Sequence, residues 1–167
     1  MMIRMRRRAL SLIEIVISTV VVSGMLVASL NVYGMSKMTE MRTYERTQGH
    51  LLAEQLMAEI LLQPYEEMED TASWGLELGE ENGTRKFFDD VDDYVDWKAS
   101  PPVSKGGEEM TEFEGWTRAV LIDRRDPDEL SNTRAMESGI KQIVVVVNRG
   151  DKEVARLTAI KCHTSPL

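Results

Sequence analysis

Cys162, His50 and His163 are all this chain has of the residue types that build disulfides, thiolate metal centres and imidazole catalysis. A lone thiol closes no intramolecular disulfide, and so small a Cys/His set supplies no zinc cluster. The two histidines share no motif. Ser, Cys and His occur without nucleophile-elbow or triad spacing, and no glycine-rich phosphate loop is present, so the expectation is a non-enzyme. Basic residues are also scarce, at 20 against 28 acidic, for a net charge of −8. Removing Arg4, Arg6, Arg7 and Arg8 leaves 16 against 28, a charge of −12 for everything downstream. Such a body repels polyanions, which excludes nucleic acid as an expected partner. No proline precedes Pro64, so nothing in the first 63 residues forbids a long helix.

What the sequence does have is concentrated at its start. Arg6-Arg7-Arg8-Ala9-Leu10-Ser11-Leu12-Ile13-Glu14 leads into an apolar run that reaches Tyr33. Leu10 to Val32 is long enough to cross a ~30 Å hydrocarbon layer. Ser18, Thr19, Ser23, Gly24, Ala28 and Ser29 are small, which suits close helix–helix approach in lipid. The arginines before the run set the N-terminus in the cytoplasm and the body outside the inner membrane, as a single-pass protein. Glu14 is the anomaly. A carboxylate inside a span costs roughly 2.5–3.5 kcal/mol on insertion scales, so it needs a cation. A cleavable secretory signal, with a small-residue site at Val27-Ala28-Ser29, fits poorly because the run is too long. A plain signal anchor explains everything except Glu14.

Ala9-Leu10-Ser11-Leu12-Ile13-Glu14 resembles the class III signal of type IV prepilins and type II secretion pseudopilins, usually Gly-Phe-Thr-Leu-Ile-Glu. The resemblance implies that prepilin peptidase cuts between Ala9 and Leu10 and that Leu10 becomes N-methylated. Glu14, fifth in the mature chain, would then face the N-terminal amine of a neighbouring subunit during assembly. Ala9, Leu10 and Ser11 depart from the family's Gly, Phe and Thr, but alanine stays small and leucine stays apolar. The implied partners are other pilin or pseudopilin subunits, the peptidase, the inner-membrane assembly machinery and lipid. Ala53–Ile60 followed by Pro64-Tyr65 is similar to I-type minor pseudopilins and V-type minor pilins, which favours a minor subunit. The competing expectation is an uncleaved, signal-anchored binding or sensing domain.

Downstream, Leu52, Ala53, Leu56, Met57, Ile60 and Leu61 trace one face of an amphipathic helix, with Met35, Met38 and Met41 as its extension toward the membrane. A helix continuous from Leu10 to Gln63 would measure about 80 Å at 1.5 Å per residue; the alternative is two helices kinked near Gly34. Trp74–Leu78 and Arg85–Phe88 flank Asn82-Gly83 and predict a hairpin. The run from Phe87 to Trp97 reads as a solvated acidic loop. Asp89, Asp90, Asp92 and Asp93 are its metal candidates, calcium being the cation such oxygens suit, although the spacing is not that of an EF-hand. Gly115–Asp123, Lys141–Asn148 and Glu153–Cys162 predict strands. The last two pair as an antiparallel hairpin across Asn148–Asp151, and Ile143–Val147 is expected to be covered on both faces. The expected fold is α+β and pilin-like: a long spine helix packed on a small antiparallel meander. Its divisions are a basic leader (1–9), a transmembrane helix (10–33), an amphipathic continuation (34–63) and an extracytoplasmic region with the sheet (64–167).

Overall fold

The computed structural model describes residues 11–66, 74–76 and 84–163. One α-helix, α1, runs Leu12–Leu62, and four strands follow: β1 Lys98–Ala99, β2 Trp116–Arg124, β3 Ile140–Arg149 and β4 Lys152–Cys162. The chain divides into two units, Met1–Tyr44 and Glu45–Leu167. The expected helix–meander layout is present, and α1 carries no break at Gly34.

Within the first unit, α1 begins when Ser11 accepts from the amides of Glu14 (3.0 Å) and Ile15 (3.2 Å). Its large apolar side chains from Leu12 to Tyr33 are exposed all round. A helix that is apolar on every side belongs in lipid or among other helices. Four hydroxyls are dealt with locally: Ser18, Thr19, Ser29 and Thr39 each donate to the carbonyl four residues back, at 2.7–3.0 Å. No polar group of theirs then needs water, which is the condition for residence in hydrocarbon. This is a helix long and apolar enough to cross a membrane.

In the second unit, Gly49, Leu52, Ala53, Leu56, Met57 and Ile60 are the buried face of α1. They meet the inner face of the sheet, built from Trp116, Val120 and Ile122 on β2, Ile143, Val145 and Val147 on β3, and Ala155, Leu157 and Ala159 on β4. Leu61 lies outside this stripe, and so do Met35, Met38 and Met41, all exposed in the first unit. The helix stops at Leu62 because Pro64 cannot donate into another turn.

The sheet order is β1-β2-β3-β4, antiparallel throughout. Val145 pairs with Val120 on one side and Leu157 on the other, so the expected β3–β4 hairpin has formed. Gly150, at φ +57°, supplies the left-handed residue that its tight turn needs. The expected two-sided cover over β3 is only partial: Val146 is buried, but Val144 is half-buried and its outer-face neighbour Leu121 is exposed. Of the expected hairpin, the second arm Arg85–Phe88 is not a strand, because Arg85 and Lys86 make a turn, while Leu78, Asn82 and Gly83 lie outside the described residues.

Candidate functional site

Ala9 and Leu10, the predicted scissile pair, lie outside the described residues. Glu14 occupies the first turn of α1 and is exposed among apolar neighbours. Among the described residues, no side chain donates to its carboxylate. Ser18 reaches only its backbone carbonyl. Among the described residues, nothing therefore offsets the cost of carrying this charge into hydrocarbon.

The aspartate run is neither solvated nor convergent. Asp90, Asp92 and Asp93 are buried, and only Asp89 is exposed. The Asp93 carboxylate accepts from the amides of Asp89 (2.8 Å) and Asp90 (3.1 Å), and Asp90 accepts from those of Asp92 (2.7 Å) and Asp93 (3.2 Å). These reciprocal bonds wind the one-turn 3₁₀ segment Asp92–Tyr94. Asp92 turns instead to Lys141, with which it forms a buried ion pair. Among the described residues, no three His, Cys, Asp or Glu side chains are grouped to hold a metal ion. Burial, followed by the charges of Asp92 and Asp93, pushes the Asp90 carboxyl up to about 6.

Three buried cations that the sequence reading missed, Lys141, Arg118 and Arg85, organise the body. Lys141, on the inner face of β3, donates to Asp92 and to the Tyr65 carbonyl, and its ammonium lies 4.1 Å from the Tyr65 ring centroid. Arg118, on the inner face of β2, reaches the Leu52 carbonyl (3.5 Å), Gln55 Oε1 (3.4 Å) and the Val103 carbonyl. Burial, together with the neighbouring Arg85 charge, lowers Arg118 to about 10. Arg85 comes from the Arg85–Lys86 turn and forks onto Glu59 of α1, at 2.9 and 3.3 Å. Its guanidinium also stacks 4.3 Å from the Trp97 ring. Tyr94 donates to the same Glu59 oxygen that receives Arg85 Nε, at 3.0 Å, and Gln63 donates to the Phe88 carbonyl. Burial raises the Tyr94 hydroxyl pKa, and Glu59 adds to the effect.

A cavity of about 310 Å³ opens at the end of β2, lined by Trp74, Asp96, Asp123, Arg124 and Arg134 among others. Its arginines are occupied: Arg124 pairs with Glu137 (3.1 Å) and stacks 3.8 Å from Trp74, and Arg134 pairs with Asp126 (2.8 Å). Of the two histidines, His50 sits on α1 beside Glu54 (3.3 Å), and His163 follows β4 beside Glu66 (3.2 Å). Chemically, these arrangements fasten loops to a helix and a sheet. No family model, curated protein or solved structure matches the chain.

Proposed function

We propose that this chain is a structural subunit, of the minor kind, in a type IV pilus or type II secretion pseudopilus. Prepilin peptidase would remove residues 1–9 by cutting after Ala9, and methylation would follow on Leu10. The membrane helix then moves into the filament and packs laterally against other copies. One observation carries the reading: among the described residues no cation meets Glu14, which lies in an exposed, predominantly apolar segment without a Lys, Arg or His from Leu12 to Tyr33. A free amine four residues upstream on a neighbouring subunit would supply the cation and fix vertical register. The ion pairs that tie loops of the body to its helix and sheet, such as Arg85–Glu59 and Lys141–Asp92, agree with a role in packing.

Co-expression with a prepilin peptidase tests the first step. N-terminal sequencing and intact mass should show a chain beginning at Leu10. A chain that still begins at Met1 would instead be a signal-anchored extracytoplasmic domain. The second step is tested by Glu14→Ala, which should be cut like the wild type yet fail to enter filaments. Normal incorporation of Glu14→Ala would remove the pairing role.

A further inference from the structure

The buried charges around Arg118 do not balance. Arg85 and Arg118 are each 1% exposed, and both donate to one oxygen, the Val103 carbonyl, so the two guanidiniums are neighbours. One carboxylate, Glu59, serves them. It is consumed by Arg85 through two hydrogen bonds and by the Tyr94 hydroxyl through a third. Among the described residues, Arg118 has only neutral acceptors: two carbonyls, the Gln55 amide oxygen at the long end of bonding range, and the Met110 sulfur at 3.9 Å. Each arginine also keeps a buried nitrogen without a hydrogen-bond partner, Nη1 of Arg85 and Nε of Arg118. A buried guanidinium is tolerated when paired with a negative charge, and an unpaired buried donor is rarely left so in a stable fold. The missing component is one negative charge that also accepts N–H bonds.

We propose that the Arg85–Arg118 pair binds a small monovalent inorganic anion of halide size, held by the donors that the protein leaves unused. A water molecule could accept the same bonds but would bring no charge. The two occupants are therefore separable by experiment. The proposal is independent of how the chain assembles, because it concerns only the body's interior.

The probe is chloride, and the protein is the full chain in non-ionic detergent. Thermal unfolding is compared in sodium chloride and sodium gluconate at equal ionic strength. Chloride should raise the melting temperature saturably by several degrees, and bromide should substitute for it. In parallel, protein-induced broadening of the ³⁵Cl resonance should be displaced by bromide and lost in Arg118→Gln, but kept in Arg156→Gln, which removes an exposed cation. Equal melting in chloride and gluconate overturns the proposal, as does broadening that survives Arg118→Gln. If Arg118→Gln does not fold, the wild-type chloride–gluconate comparison decides by itself.

Discussion

At Gly49 the helix and sheet of the body approach closely, and a single methyl there pits two effects against each other. A Cβ on Gly49 would stand 2.8 Å from Val154 Cγ2, 3.4 Å from Val154 Cβ and 3.5 Å from Ala155 Cβ. Only the first distance is prohibitive. In an open helix interior, Gly→Ala stabilises by about 0.8–1 kcal/mol, because alanine loses less backbone freedom on folding. Forcing a methyl into a packed core costs typically ~1–3 kcal/mol. The collision is with a branched carbon on a strand, which cannot swing away as the end of a long side chain could. Overpacking should therefore win, and Gly49→Ala should lose on the order of 1 kcal/mol. Val154→Ala removes the offending carbon at a cost of about 1 kcal/mol for a half-buried side chain. In that background the remaining contacts are tolerable, and Gly49→Ala should change sign and stabilise. The assay is urea unfolding of the four-member cycle in detergent, followed by tryptophan fluorescence. Coupling of roughly 2 kcal/mol is expected, a size ordinary for residues in direct contact. A stabilising Gly49→Ala in the wild type, or the same effect in both backgrounds, would refute the close-approach argument.

Two further perturbations probe the buried charges. Glu59→Gln or Arg85→Met alone should destabilise by about 3–5 kcal/mol, because each strands the other partner, while the double variant should lose much less than the sum; denaturant midpoints check this. Asp90 gives a pH test. Its folded pKa of about 6 lies above the ordinary 3.8, so the folded state holds the proton more tightly than the unfolded state does. Stability from this group is therefore full below about pH 4 and is lost as pH rises through 6. Asp90→Asn keeps the acceptor for the Asp92 and Asp93 amides. It should flatten the melting profile between pH 4 and 6 and leave the variant more stable than wild type at pH 7. A profile parallel to that of wild type would count against the assignment.

The parts of this fold that were readable are those in which one physical period dominates. The six buried positions from Gly49 to Ile60 repeat at helical spacing, and β2 to β4 alternate. Arg118 and Lys141 hide in plain view. Each is in phase with the inward set of its strand, Trp116-x-Arg118-x-Val120-x-Ile122 and Lys141-x-Ile143-x-Val145-x-Val147. Residue type argued for solvent and parity argued for the core, and parity was right. The aspartate run misled for a related reason. Four acids in five residues imply solvation unless amides and a lysine some fifty residues away donate to them, and only the tertiary fold brings that lysine to Asp92. β1 is two residues long and leaves no pattern to read.

These misread residues explain how the region between α1 and β2 is placed at all. Residues 84–115 have little apolar periodicity, so hydrophobic burial alone would fix their register weakly. The fixed points are polar. Arg85 is held by Glu59 of α1, the Val103 carbonyl by Arg118 of β2, and Asp92 by Lys141 of β3. Three attachments on three different elements leave a rigid segment one position in which all are satisfied together. Sliding it by a single residue would strand a buried charge, a penalty of several kcal/mol that an apolar contact of the same size would not impose. The two cations on the inner face of the sheet thus weaken a core that could have been all apolar, and in exchange they select one docking of a loop that apolar residues alone would leave ambiguous. Phe88, Val91 and Tyr94 then fill the space so defined.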